Sequence, residues 1–365
     1  MRLSTLRKFA RDPLLSGPMM TEDQRSHPVV QAILRRREEG SRPGARADGR
    51  RIALVIEGGG MRGVVSAGMA AAIEQLGLRD AFDEVHGASA GAFNGAFLIA
   101  GQASYLAALY PHGFGDPRFV SLRRFARGHP VFDMDYVVGE VWRTQRPLRI
   151  DRILSGAIEL HCTATDVDRA AIADLTELGT EEDIRTALRA SARLPWLAGP
   201  PVPFRGRRWL DATLAEAIPV HAAETSATDM LVLQTRPHGI DHTPLSSGVA
   251  RLTDGYLGKI NPALVELRRL RSGRYDRRSA ELAARARDPM ASPAVCVIRP
   301  AADALFIGQL ENRMTALTIA GAHGLRAAWM ALAGEDPELL SAPRAYSRAA
   351  AARDEDRTAA PAASM

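Results

Sequence analysis

Two glycine-rich segments carry the residues of this 365-residue chain best suited to chemistry. The first, Glu57-Gly58-Gly59-Gly60-Met61-Arg62-Gly63, satisfies the G-x-G-x-x-G spacing through Gly58, Gly60 and Gly63. Such a loop presents backbone N–H groups to an anion, either the pyrophosphate of a dinucleotide or the oxyanion of an ester under attack. The second, Gly87-Ala88-Ser89-Ala90-Gly91, is G-x-S-x-G. Small residues two before and two after a serine let the chain turn sharply, and Ser89 would then stand at the positive end of the next helix. The competing role for Ser89 is a plain helix N-cap beside glycines needed for close packing.

The distance between the two segments bears on the choice. From Gly60 to Ser89 is 29 residues, the length of one strand–loop–helix–strand unit. Successive parallel strands usually neighbour each other, so both loops should open at the same end of one sheet. A dinucleotide site wants an acid roughly 20 residues on, at the end of the second strand. Asp83 and Glu84 precede that strand, and Ala88 and Ser89 stand where the acid belongs. The spacing therefore favours the oxyanion.

A serine nucleophile needs a base. None of the nine histidines has a diagnostic local context, and His86, three residues before Ser89, falls within a strand. A late histidine such as His323, with His238 and His242 as further candidates, would complete a Ser…Asp…His order. The stretch Arg207-Arg208-Trp209-Leu210-Asp211-Ala212-Thr213 offers the alternative, a carboxylate at a strand end. In a dry site Asp211 could take the Ser89 proton directly.

These residues need a scaffold, and the pattern supplies one. Short apolar runs at 52–57, 84–88, 157–164, 208–210, 230–235 and 294–298 read as strands. Helical spacing covers 64–76, 90–100, 181–193, 262–270 and 313–333, and Thr180 with Asp183 suits a capped helix start. Alternating β and α elements predict a mostly parallel sheet with helices on both faces.

Composition sets the outer bounds. The chain has 47 basic and 42 acidic residues, a net charge of +5, and only Lys8 and Lys259 among its basic residues are lysine. That balance argues against nucleic acid. Residues 1–51 hold twelve basic and six acidic residues, more than the net charge of the whole chain. They read as a basic extension with a linker ending at Arg51, which would pack as short helices, lie in solvent, or meet anionic lipid headgroups. Cys162 and Cys296 sit in apolar runs without metal-ligand spacing, which predicts buried free thiols and a cytoplasmic protein. No run reaches a membrane span, and the first twenty residues lack a signal-like apolar core. The expected division is 1–50 extension, 51–341 catalytic domain, and 342–365 a disordered Ala/Arg/Ser-rich tail.

Together the Glu57-GGGMRG loop, the GASAGAFNG elbow, Ala190-Ser-Ala-Arg-Leu-Pro and the downstream Asp211 resemble the patatin-like phospholipases, especially their bacterial branch. HPVFDMDYV and CVIRP fit that branch too, and the likeness runs from about Arg51 to Pro300. The resemblance implies a three-layer α/β/α sandwich and a Ser89–Asp211 dyad without histidine. It implies an oxyanion hole in the loop Gly58 to Gly63, built from the amides of Gly59, Gly60 and Met61. Arg62 would brace that loop or meet a headgroup, and Gly87 and Gly91 would shape the elbow. The implied activity is hydrolysis of lipid esters, with no cofactor or metal. One departure stands out: the family's Asp-Gly-Gly or Asp-Gly-Ala is Asp211-Ala212-Thr213 here. A turn needing positive φ at Ala212 would cost roughly 1–2 kcal/mol, which would fit an impaired, lipid-binding protein.

Overall fold

The computed structural model describes residues 23–113, 127–240 and 247–337. The first 22 residues, the 342–365 tail and His242 lie outside the described residues.

Eight strands form one sheet in the order β5-β6-β3-β2-β1-β7-β8, with β4 paired to β3. They are β1 (Ile52–Ile56), β2 (Glu84–Ala88), β3 (Glu159–Asp166), β4 (Ala171–Leu175), β5 (Val202–Phe204), β6 (Arg207–Asp211), β7 (Asp229–Leu233) and β8 (Ala294–Ile298). The run β3-β2-β1-β7-β8 is parallel throughout, whereas β4, β5 and β6 join it antiparallel. Strand β1 sits near the middle and explains its own composition. Ile52, Leu54 and Ile56 point into one core, Ala53 and Val55 into another, and all five are buried. A strand covered on both faces has no polar face to alternate with, hence the unbroken run IALVI.

The helices used below are α1 (Pro28–Glu38), α2 (Gly63–Gln75), α3 (Ala90–Ile99), α4 (Ala103–Gly113), α5 (Glu181–Ser191), α6 (Ser247–Ile260), α7 (Ala263–Arg269), α8 (Arg271–Arg285) and α9 (Met314–Ala333). Residues of α1, α2, α3, α4, α5 and α9 share the larger core, while Tyr275 and Leu282 of α8 pack into the smaller one beneath Ala53, Val55, Met230 and Val232. Leu257 of α6 and Leu264 of α7 close a third cluster over Leu210 and Leu214. The architecture is the expected three-layer α/β/α sandwich.

Helix α5 begins with the capping box read from the sequence: Thr180 accepts from the Asp183 amide, and Asp183 accepts from the Thr180 amide. Helix α1, by contrast, belongs to the main core through Val29, Val30 and Ile33, all fully buried, so 51 is not a packing boundary. The stretch expected to be a linker is tied down by Arg42 to Asp80, Arg46 to Asp83, and Arg50 to Asp229.

Candidate active site

The two glycine-rich segments lie side by side. Pairing of Ile56 with Gly87 brings β1 and β2 to their carboxyl ends together, so both loops open at one edge of the sheet. Ser89 has φ 53° and ψ −121°, a backbone conformation a side chain rarely adopts. Strain of that kind costs on the order of 1–3 kcal/mol and persists only where the surroundings enforce it. Here they are enforced by contact. A Cβ on Gly87 would lie 2.4 Å from the Cα of Ala92, one on Gly91 2.2 Å from the Ile56 carbonyl oxygen, and one on Gly58 2.4 Å from the Ala88 carbonyl oxygen. Only glycine allows the loop, the elbow and α3 to close up this far.

Asp211 arrives from the other side of the sheet, where β6 runs antiparallel to β3 and pairs Asp211 with Ala164. The Ser89 hydroxyl donates to Asp211 Oδ2 at 2.8 Å, and Ser89 and Asp211 are 4% and 0% exposed. The other oxygen, Oδ1, accepts from the Thr213 amide at 2.8 Å and the Thr213 hydroxyl at 2.6 Å. Burial raises the Asp211 pKa; the Thr213 and Ser89 hydrogen bonds and the charge of Arg271 work against it. Ala212 opens a short 3-10 turn capped by Asp211 and is not among the residues with positive φ. The substitution that departs from Asp-Gly therefore meets no backbone penalty, because this turn does not use the left-handed region.

One segment holds both partners in register. Ser191 Oγ accepts from the Ser89 amide at 2.8 Å and donates to the Thr163 carbonyl at 2.6 Å, while the Arg193 carbonyl accepts from the Asp211 amide at 3.0 Å. Thr165 Oγ1 donates to the Asp211 carbonyl at 2.8 Å. Neither Ser191, within Ala190-Ser-Ala-Arg-Leu-Pro, nor Thr213 is among the site residues expected from the sequence. Their contacts span 102 residues for Ser191 and only two for Thr213, so only the latter had a local signal, a hydroxyl two residues after the aspartate.

The glycine loop is more selective than its sequence suggested. Gly58 N–H donates to the Ala217 carbonyl, Met61 N–H to the Gln309 carbonyl at 3.0 Å, and Arg62 N–H to the Gly59 carbonyl. Met61, expected as an oxyanion donor, already has an acceptor. Among the described residues, the Gly59 and Gly60 amides have none. Gly60 needs its freedom twice, with φ 58° and a Cβ position 2.7 Å from the Gln309 carbonyl oxygen. Gly63 lies against Ala90, and Asn94 Nδ2 bonds the Gly63 carbonyl at 2.9 Å, fastening α3 to the start of α2.

Arg62 braces the loop. It is 3% exposed, its Nε donates to Thr235 Oγ1 at 3.0 Å, its guanidinium is 3.7 Å from Glu57, and it lies 5.9 Å from the Phe306 ring centre. Glu57 in turn accepts from the Thr235 amide at 2.6 Å, tying the end of β1 to the end of β7. The histidines stand elsewhere. Among the described residues none hydrogen-bonds Ser89 or Asp211; His323 is within α9 and His238 follows β7.

Residues 54–224 match the family model described as patatin-like phospholipase. Over that span the chain is similar to the patatin-like phospholipases. The matched span contains the glycine loop, Ser89, Ser191 and Asp211, but ends before β7, α8 and α9, which complete the sheet and its cover. The chain is also 32% identical over 199 residues to "Uncharacterized protein YjjU" of Escherichia coli (strain K12), covering 53% of this chain and 54% of that protein. It thus spans about half the length of that relative. Among solved structures, VipD from Legionella pneumophila is similar at 11% identity and a TM-score of 0.43, covering 79% of this chain and 67% of that one.

Proposed function

We propose that this patatin-like domain is a serine acyl hydrolase that cleaves lipid esters through Ser89 and Asp211. The observation that carries the reading is the 2.8 Å hydrogen bond from Ser89 Oγ to Asp211 Oδ2, made by a serine held at φ 53°. Ser89 Oγ attacks the ester carbonyl as its proton passes to Asp211. The developing oxyanion meets the Gly59 and Gly60 amides, each such donor being worth about 3–4 kcal/mol of transition-state stabilisation. Asp211 returns the proton to the leaving alcohol, then activates the water that releases the acyl group. Phospholipids or lysophospholipids are the substrates the family implies. The reading includes a cytoplasmic enzyme that touches an anionic membrane face through the arginine-rich N-terminal residues.

Two other readings have less support. A Ser–His–Asp triad lacks a histidine bonded to either dyad member among the described residues. An impaired, lipid-binding protein would need Asp211-Ala212-Thr213 to disturb the base, whereas Thr213 gives Asp211 two hydrogen bonds. The test compares wild type with Ser89→Ala and Asp211→Asn on a nitrophenyl ester and with a fluorophosphonate probe. Expected is loss of probe labelling in Ser89→Ala and a rate loss of at least about a thousandfold in both variants. Full activity in Ser89→Ala ends the proposal.

A further inference from the structure

A second cluster of chemistry-bearing side chains lies toward the amino ends of β2 and β3, away from Ser89. Register pairs His86 with His161 and Glu84 with Glu159. The two imidazole rings stack with centres 4.1 Å apart. Glu84 and His86 are 0% exposed and His161 8%. His86 Nδ1 is 3.4 Å from Asp174 Oδ2, and its Nε2 is 3.3 Å from Glu84 Oε1. His161 Nε2 faces Glu159 at 3.4 Å. Among the described residues, His86 Nε2 and both ring nitrogens of His161 have no hydrogen-bond partner.

This arrangement needs a cation. A neutral imidazole has one N–H, so His86 between two carboxylates would turn a lone pair toward one of them. A second proton donor on His86 would still leave both ring nitrogens of His161 without a hydrogen-bond partner among the described residues. The charges point further. Glu84, Asp174 and Glu159 stand against one arginine, Arg51, whose Nη2 lies 2.7 Å from Glu84 and 2.8 Å from Glu159. The surplus is two negative charges, which one dication cancels and one proton only halves.

We propose that Glu84, His86 and His161 form a binding site for one divalent transition-metal ion of the zinc class. Their donor atoms all lie within 4.8 Å of one another. Zinc bonds of about 2.0–2.2 Å need them somewhat closer, so loading must draw the His161 ring inward from its stack on His86. Two imidazoles and a carboxylate are a donor set that such ions take, leaving a fourth position for water. Asp174 supplies the outer carboxylate that fixes the Nδ1–H tautomer of His86 and aims Nε2 at the ion. Glu84 keeps its Arg51 partner on Oε2, and Ser226 donates to Oε1 at 2.6 Å. Glu159 and Arg51, 56% and 39% exposed at the side chain, form the rim through which an ion enters. Loading releases the His86 proton to solvent. The ion would staple β2, the strand that ends at the elbow, to β3.

Tag-free full-length protein is loaded with Zn2+, desalted and assayed for metal, and loaded in parallel with Co2+ for visible absorption. Expected are one retained equivalent, the intense visible bands of tetrahedral cobalt, loss of both in His161→Ala, and retention weakened about ten- to a hundredfold in Asp174→Asn. No retained ion in wild type, or an unchanged cobalt spectrum in folded His161→Ala, overturns the proposal. Should His161→Ala not fold, the wild-type cobalt spectrum decides, weak octahedral bands counting against the site. Ester hydrolysis is not the readout, so this result stands or falls apart from the hydrolase reading.

Discussion

At the scale of single residues, the proposed Ser89–Asp211 dyad depends on how Asp211 is kept both buried and ionisable. Burial alone raises its pKa, and the two Thr213 hydrogen bonds and the Ser89 hydroxyl draw it back. A base must be ionised to accept a proton, so the rate climbs as pH rises through that raised pKa. The acid limb of kcat/KM should therefore lie above the ordinary aspartate value of about 4, and a limb at or below that value would count against Asp211 as the base. Thr213→Val keeps the shape and the backbone amide while deleting the 2.6 Å hydroxyl bond. Hydrogen bonds to charged groups contribute about 1.5–3 kcal/mol, which predicts a rate loss of roughly ten- to a hundredfold and an acid limb moved further up. A rate loss with no movement of the limb would mean that Thr213 acts on packing alone.

At the scale of elements, the site rests on helices packed closer than side chains permit. Helices α2 and α9 cross at glycines: a Cβ on Gly68 would meet the Gly321 carbonyl oxygen at 2.1 Å, and one on Gly324 the Val65 carbonyl oxygen at 2.0 Å. Because α2 begins at the glycine loop, any spreading here moves Gly59 and Gly60 relative to Ser89. Gly324→Ala gains about 1 kcal/mol in helix propensity. Against that stands overpacking against rigid backbone, about 1–3 kcal/mol or more. The contact should win, giving a lower Tm in thermal unfolding and a fall in kcat larger than the change in KM. An unchanged Tm would show that the helices part without cost.

At the scale of the whole molecule, the N-terminal basic segment does structural work within its described part. Arg36 is 1% exposed, bonds Asp48 and Asp83 at 2.7 and 2.8 Å, and donates to the carbonyls of Ala81 and Arg50. It fastens α1 and the following stretch to the turn that leads into β2. Removing one partner from a buried ion pair costs about 3–5 kcal/mol; Asp83 keeps Arg46 at 2.7 Å, so Arg36→Met should sit near 3 kcal/mol in urea unfolding. A cost below about 1 kcal/mol would make α1 an appendage. Arg42, Arg46, Arg50 and Arg51 are likewise engaged with carboxylates of the body. Lipid attraction through the extension thus falls to exposed Arg25, Arg35 and Arg37 and to residues outside the described range. If it operates, binding to anionic vesicles falls steeply between low and physiological salt. No described helix is long and apolar enough to cross a membrane.

Much of this was written locally. Short apolar runs, helical spacing and the Thr180–Asp183 box name most elements within a residue or two, since each signal lies within one element. The two glycine motifs are equally local, because strand–loop–helix chemistry is confined to a few consecutive residues. Strands β4 and β5 and helices α4, α6 and α8 carry no local signal of this kind. The strands are short edge pieces, and α8, with the sequence RSGRYDRRSAELAAR, buries only Tyr275 and Leu282. What only the fold decided are contacts between distant residues: Ser191 on the Ser89 amide, Gln309 on the Met61 amide, and His86 beside His161 across a strand register. Ala212 illustrates the difference. Its residue type raised a penalty that depends on φ, and φ is set by the 3-10 turn that Asp211 caps. Residue types state which groups are available; sheet register and close packing decide which of them meet.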